Sequence, residues 1–300
     1  MQLPIIPMAP ISNDVIPIAE DWGYQIKWDG VRIIAQLNDD EVTLYSRNGL
    51  VKNATYPELA RGLASLSGRM VLDGEAIVFD PIKQRPNFPM VLQRERLKNP
   101  VRVEGAAQAQ HITYVLFDLL EMDGVDLRGF PYRERHERLK LLFPTRKEWL
   151  FVTDLFLDGP SLWQWVENNS WEGMVSKRLS APYQAGKHHK DWLKKKTKQQ
   201  FEVSIVGLTF KEGQRLSSLI MMMNNQYLGR VSGGLNESLK RQLLELPSQS
   251  ISPFSPLPSD LKNVKLVWLE RAFTATITGQ EISDYGLLRH PQIVEGSLKL

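Results

Sequence analysis

The 300-residue chain contains no cysteine. Disulfides, thiol nucleophiles and cysteine-bound zinc are thereby excluded, and covalent catalysis must use another nucleophile, lysine among them. No stretch approaches the ~20 consecutive apolar residues that a membrane span needs. The first 22 residues, MQLPIIPMAPISNDVIPIAEDW, are apolar but hold four prolines and no basic residue, so they do not read as a signal peptide. A cytoplasmic protein with no membrane partner is expected. A large net charge is also missing: 37 Lys and Arg against 34 Asp and Glu leave +3, too little for a general coat on nucleic acid. With 42% hydrophobic residues the composition is that of a soluble globular protein of one large domain or two ordinary ones.

The charge that is present is unevenly spread. KHHKDWLKKKTK, residues 187–198, holds six lysines, two histidines and one aspartate. Such a cluster suits a phosphate-binding surface, and equally a solvated loop. The segment YQIKWDGVRI, residues 24–33, has the aromatic and β-branched content of a strand, interrupted by Lys27, Asp29 and Arg32. Taken alone it reads as well as a half-exposed strand entering a turn at Asp29-Gly30.

From 24 to 118 the pattern predicts mainly strands and turns, with a hairpin at Asn48-Gly49 and with MVLDGEAIVFD and ITYVLFDLL as further strands. Helices are predicted over 131–143, with Leu139, Leu142 and Phe143 inward, and over 159–169, with Ser161 as an early cap. After about 198 come short strand-like runs, a helix over 235–246 and a Pro/Ser-rich loop over 247–258. The three methionines at 221–223 read as core filler. The expected architecture is α+β: residues 1–198 form a mixed domain of antiparallel sheets with flanking helices, and residues 199–300 a small β-barrel of OB type.

Charged residues embedded in the strand-like runs recur in a definite order: KWDGVR, SRNG, LDGE, VLFD, WEGMVSKR and WLKKK. Each alone has an ordinary explanation as a turn or a surface charge. Together, at these spacings, they resemble the motif series of the covalent nucleotidyltransferases, the ATP-dependent DNA ligases, RNA ligases and mRNA capping enzymes. The likeness is greatest to the compact bacterial ATP-dependent DNA ligases, especially the ligase module of end-joining systems, and it covers nearly the whole chain.

The resemblance implies that AMP passes from ATP to a lysine, then to a DNA 5′-phosphate, and that a 3′-hydroxyl finally displaces it. Lys27 stands at the nucleophile position. A rigid strand would aim its amine, whose ordinary pKa of ~10.4 must be depressed by nearby positive charge or metal. Asp29 is expected to orient the site. Arg32 matches a contact to ribose or DNA phosphate, and Arg47 a contact to ribose or the 5′-phosphate. Glu75 and Glu172 match carboxylates around ribose and metal, and such oxygen ligands suit Mg²⁺ or Mn²⁺. Glu75 is ranked above Asp73, which a regular strand would turn to the same face. Phe117 matches an aromatic stacked on adenine. Lys194 and Lys196 match a pair gripping the α-phosphate, with Lys177 a secondary phosphate contact. Ile26 is counted with the nucleotide-binding residues.

Two positions depart from the family pattern. Gln25 stands where many ligases carry a glutamate that reads the adenine amino group; its amide oxygen still accepts that hydrogen bond. In LLRHPQIVEG only Arg289 matches the basic motif that orients pyrophosphate, and Glu295 stands where further basic residues often follow. Lys27 comes so early that no DNA-encircling domain is expected before it, and a stand-alone, monomeric enzyme is the simpler expectation. Its partners would be nicked or broken duplex DNA, in repair or end joining, with a Ku-type end-binding protein as a recruiter. The two domains would move about a hinge near 196–200. Rival readings are an RNA ligase, a GTP-using capping enzyme, a module of a multifunctional end-joining protein, and an inactive nucleic-acid-binding relative.

Overall fold

A computed structural model describes residues 3–39, 41–211, 215–280, 282–283 and 285–298. The chain divides into two compact units, Met1–Thr197 and Lys198–Leu300. In chain order the first unit runs β1 (Ala9–Ser12), β2 (Trp22–Ile26), β3 (Val31–Asn38), β4 (Glu41–Ser46), α1 (Pro57–Ala64) and β5 (Arg69–Ile77). A short hairpin, β6 (Phe79–Asp80) and β7 (Arg85–Pro86), leads to α2 (Phe88–Arg96) and α3 (Pro100–Ala109). Then come β8 (Thr113–Met122), β9 (Val125–Asp126), α4 (Tyr132–Leu142), β10 (Leu150–Val152), α5 (Gly159–Asn168), β11 (Gly173–Arg178) and β12 (His188–Lys196).

Two sheets organise these elements. One has the order β1-β12-β11-β2, the other β10-β8-β5-β3-β4 with β9 beside β8. Both are antiparallel apart from one parallel pair each, β1 with β12 and β10 with β8. The latter is a crossover carried by α4, the connection that a parallel pair requires.

The strand β3 shows why the sheets face each other. Ile33, Ala35 and Leu37 enter a core completed by Leu59 and Leu63 of α1. Ile34 points the other way, into a cluster with Val71, Leu120 and Trp192 of β12. The β3 sheet is therefore covered by a helix on one face and by the other sheet on the opposite face, which accounts for its near-continuous apolar run.

Three helices, α1 to α3, interrupt the region predicted as strands and turns. Their starts are chemically explicit. Each has proline in its first turn. The Asn87 side chain accepts from the Met90 N–H at 3.3 Å, and that of Asn99 from the Val101 N–H at 3.0 Å. Asparagine caps and early prolines are start signals that outweigh weak apolar periodicity. At α5 the cap is Asp158, which accepts from the Ser161 N–H at 3.0 Å; Ser161 itself lies inside the first turn. The strand expected at ITYVLFDLL is β8, which carries Phe117 and runs on to Met122.

The second unit contains β13 (Gln199–Lys211), β14 (Arg215–Met223), β15 (Gln226–Val231), α6 (Glu237–Leu244), β16 (Ser248–Gln249), β17 (Lys265–Gly279) and β18 (Gln292–Ile293). The strands form one antiparallel sheet, β15-β14-β13-β17-β16, with β18 also on β17. The runs are longer than the short segments expected. The β13–β17 ladder shifts register between Ile205 and Gly207, and such a bulge bends both strands. Val203 and Ile205 then pack into one cluster while Val206 and Trp268 pack into another. Met221 is fully buried in the first of these, as core filler.

Candidate active site

The facing sheets of the first unit enclose a cavity. Lys27, Arg32, Arg47, Glu75, Phe117, Lys177 and Lys194 line it together with Gln25 and Ile26. Asp29, Glu172 and Lys196 complete the set through their links to Lys27. Arg289 belongs to the second unit, where its carbonyl accepts from the Gln280 N–H at 3.0 Å.

Lys27 does not lie within a strand, as expected, but immediately after β2. Its backbone N–H still donates to the Gly173 carbonyl at 2.9 Å, so the ladder extends far enough to fix it. Two glycines make the arrangement possible. A Cβ on Gly30 would stand 2.3 Å from the Ala76 carbonyl oxygen, and one on Gly173 would stand 2.1 Å from that of Lys195. Gly30 lets the turn after Lys27 press on β5 beside Glu75, and Gly173 lets β11 press on β12 beside Glu172.

Glu172 bridges two lysines. One oxygen lies 2.6 Å from Lys27 Nζ and the other 2.9 Å from Lys196 Nζ, with the carboxylate side chain 5% exposed. Burial would raise the Glu172 pKa, but Lys27 and Lys196 together hold it below the ordinary carboxylate value. Burial would equally lower the Lys27 pKa, but Glu172, then Glu75 and Asp29, hold it above the ordinary lysine value. Lys27 is thus an ammonium in this state, whereas its expected role needs a free amine.

Glu75 differs from Glu172. Its carboxylate faces the cavity and accepts no hydrogen bond from any described residue. Burial pushes its pKa up to about 8, against the pull of Lys27 and Arg32. Among the described residues no group of three or more His, Cys, Asp or Glu is placed to hold a metal by itself. A half-buried carboxylate that faces a cavity without a donor is nevertheless suited to a hard cation, and Mg²⁺ is commonly held by one or two carboxylates with substrate phosphates completing its shell. Glu75 fits that role as it stands, and Glu172 would join it where Lys27 or Lys196 gives up one of its oxygens.

Asp73 has another task. It is fully buried, and it grips Arg32 in a fork, one arm of which is 2.6 Å. The Tyr183 hydroxyl donates to the same carboxylate at 2.7 Å and accepts from the Met8 N–H at 3.1 Å. Arg32 in turn donates to the Met8 carbonyl at 3.2 Å. The loop of bonds fixes the arginine head and ties the N-terminal segment Pro7–Pro10 to the cavity, which that segment also lines. The Arg32 guanidinium lies 4.5 Å from the centre of the Phe117 ring.

Lys177 is not on the open side of the cavity. It is 2% exposed, with Nζ 4.2–4.5 Å from the ring centres of Trp192, Tyr132 and Phe117. It donates to the Tyr132 hydroxyl at 3.2 Å and the Phe117 carbonyl at 3.4 Å. Burial brings its pKa down to about 7. Enclosed in this way it cannot reach a phosphate without leaving its cage, so a phosphate contact is not carried forward for it. Lys194 reaches the cavity; its pKa is lowered by partial burial and by Lys27, Lys196 and Arg47. The Arg47 guanidinium stands 3.4 Å from His188 Nε2.

Several cavity residues had no role in the sequence-based site. Trp192 was marked only by its lysine neighbours. Thr153, which accepts from Trp28 Nε1 at 2.9 Å, and the Pro7–Pro10 segment carry no local signal, because the topology brings them in from far along the chain.

A half-buried lysine between carboxylates, in a cavity walled by cations and an aromatic ring, is a site for an anionic nucleotide-like substrate. The model of the ATP-dependent DNA ligase domain matches residues 8–196, and the chain belongs to that family. It is 34% identical over 287 residues to the multifunctional non-homologous end joining protein LigD of Mycobacterium bovis, covering 90% of this chain and 35% of that protein. To the bifunctional LigD of Bacillus subtilis it is 29% identical over 259 residues, covering 81% of this chain and 42% of the other. The chain thus spans roughly two fifths or less of these relatives. The ligase domain of Mycobacterium tuberculosis LigD is similar in structure, with a TM-score of 0.59 and 30% identity over 98% of this chain and 95% of that one. A mycobacterial DNA ligase D solved with ATP and MES gives the same score and identity over 96% and 93%. The mixed α/β, nucleotidyltransferase-type ligase fold is shared with them.

Proposed function

We propose that the chain is an ATP-dependent DNA ligase that joins 5′-phosphate and 3′-hydroxyl ends of duplex DNA through lysyl-AMP. The observation that carries this reading is Lys27, fixed at the meeting of both sheets 2.6 Å from Glu172 and inside a cavity with Arg32, Arg47 and Lys194. The Lys27 amine attacks the α-phosphorus of ATP. A nitrogen–phosphorus bond forms, the bond to pyrophosphate breaks, and the amine gives up its proton. A DNA 5′-phosphate oxygen then displaces Lys27 to give the DNA-adenylate, and the 3′-hydroxyl displaces AMP, losing its own proton.

Arg47 and Lys194 attract the phosphates, Arg32 is preset by Asp73, and the adenine lies against Phe117 with Gln25 at its edge. Glu75 and Glu172 would hold Mg²⁺ or Mn²⁺, which supplies positive charge to the carboxylates and phosphates. The second unit is read as an OB-type domain, with Arg289 serving the pyrophosphate. A role in end joining, monomeric action and recruitment by a Ku-type protein belong to the same proposal.

The test is incubation with α-labelled ATP or GTP, or adenylate-labelled NAD, in Mg²⁺, followed by denaturing electrophoresis and a chase with nicked DNA. Label from ATP alone, lost on the chase and absent in Lys27→Ala, is expected. Label from GTP, label that a nicked RNA but no DNA removes, or covalent AMP on Lys27→Ala would overturn the assignment.

A further inference from the structure

A protein that acts on DNA is expected to expose cations around its site. One face of the first unit does the opposite. Residues 1–26 and 148–176 contain no lysine or arginine, although the chain has 37 of them, and they carry eight acidic residues. The fold brings these two segments together. The β2 strand pairs with β11, and Tyr24 exchanges backbone hydrogen bonds with Phe156 in both directions, at 2.9 and 2.8 Å. The Tyr24 hydroxyl also donates to the Pro17 carbonyl, anchoring the stretch that precedes β2.

On this face apolar side chains stand out. Leu157 is 71% exposed, Ile18 78%, Trp165 42% and Phe156 39%. Phe156, Leu157, Leu162 and Trp165 border a cleft of about 530 Å³ whose floor is Ile26, the residue before Lys27. Ile26 is thus the wall between this cleft and the nucleotide-binding cavity. Three of the acids are answered within the chain, Asp154 by Lys140 at 2.9 Å, Asp21 by Arg178 at 3.4 Å, and Glu172, which belongs to the cavity, by Lys27 and Lys196. Asp158, on the rim, caps α5 and meets no cation among the described residues, and Glu20 and Glu167 are exposed.

We infer that this apolar, acidic face docks a basic, apolar segment of a partner protein, seated in the cleft beside Ile26. Duplex DNA is disfavoured there, because its phosphates would meet Glu20, Asp158 and Glu167, while Lys140 and Arg178 are already paired with Asp154 and Asp21, leaving few cations to displace the DNA's counter-ions. Apolar anchors within a rim of one charge sign are the usual makings of a protein docking site, with the rim setting partner choice and encounter rate. The partner's apolar residue fills the cleft between Leu157 and Trp165, and its lysines or arginines face Glu20, Asp158 and Glu167. Because Ile26 is shared, occupation of the cleft would be felt one residue from Lys27.

The test is a hydrogen-exchange footprint on the full chain with three probes: a nicked duplex, an amphipathic leucine–lysine peptide, and its leucine–glutamate counterpart. The duplex is expected to protect 187–196 and leave 154–166 unchanged. The leucine–lysine peptide is expected to protect 154–166, to bind at least tenfold more tightly than the acidic one, and to weaken about fivefold or more in Leu157→Ser and in Glu167→Lys. Protection of 154–166 by DNA would make the face part of the nucleic-acid interface. Equal binding of both peptides, protection elsewhere, or protection of 154–166 by self-association alone would also overturn the inference. Self-adenylation measured on the same variants keeps failure of this inference distinct from failure of the ligase assignment.

Discussion

Replacing Lys177 with methionine should stabilise the first unit at neutral pH. The side chain is buried, and its pKa is brought from an ordinary 10.5 down to about 7. That displacement corresponds to about 5 kcal/mol by which folding opposes the protonated form. The rings of the cage, 4.2–4.5 Å from Nζ, favour the ammonium and work against that displacement. A gain of no more than about 5 kcal/mol is therefore expected for Lys177→Met, whose unbranched side chain matches the volume. The sign with pH is fixed by the same displacement. Between pH 7 and 10.5 the unfolded chain holds a proton that the folded chain has released, so the parent gains stability as pH rises through that window. Below pH 7 its penalty is complete and constant. The variant lacks this dependence, so its advantage should be full at pH 6 and close towards pH 10. Calorimetric scans at pH 6, 7.5 and 9.5, resolving the transitions of the two units, would measure it. A variant less stable than the parent by the same amount at all three values would refute the reasoning, and would mean that the cage accommodates a full charge.

The remaining predictions address the geometry around Lys27. Tyr183→Phe removes the donor to Asp73 and the acceptor of the Met8 N–H; about 1–2 kcal/mol of stability should be lost, with KM for ATP rising severalfold and kcat for adenylation changing less, read from single-turnover labelling. Gly173→Ala should reduce adenylation more than 100-fold while leaving the second unit's hydrogen exchange unchanged, because β11 must retreat from Lys195; near-normal labelling would show that the Glu172 bridge is dispensable. Burial pushes the Glu75 carboxyl up to about 8, so adenylation in the parent is expected to rise between pH 7 and 9 as it ionises, and Glu75→Gln should lack that rise; the same pH profile in both would refute this. Nicked-duplex binding should weaken steeply with salt, as expected when affinity rests on phosphate contacts, and Lys194→Ala should lower the slope of log K against log salt by about 1.

How much of this was legible in the sequence follows from which interactions are local. Lys27, Asp29 and Gly30 were readable because the chemistry is compressed into one turn, and the glycine has a steric reason, the Ala76 carbonyl 2.3 Å from any Cβ. The i, i+2 spacing of Lys194 and Lys196 was readable for the same reason, since both lie on β12. Strand periodicity misjudged 57–109, where α2 and α3 are set by Asn-Phe-Pro and Asn-Pro starts, and α1 begins at Tyr56-Pro57 and turns Leu59 and Leu63 inward. It put Asp73 and Glu75 on one face, as the unbroken β3–β5 pairing of Ile34 with Asp73 and Arg32 with Glu75 has them, but it gave no sign that Asp73 goes to Arg32 and Tyr183, a partner 110 residues away. The charge state of Lys27 lay still further from view. A lysine next to an aspartate in sequence gives no hint that Glu172, 145 residues on, holds it as an ammonium at 2.6 Å. The motif order therefore identifies which residues meet, while the long-range carboxylates decide in what protonation state they wait, and any account of reactivity has to begin from the second.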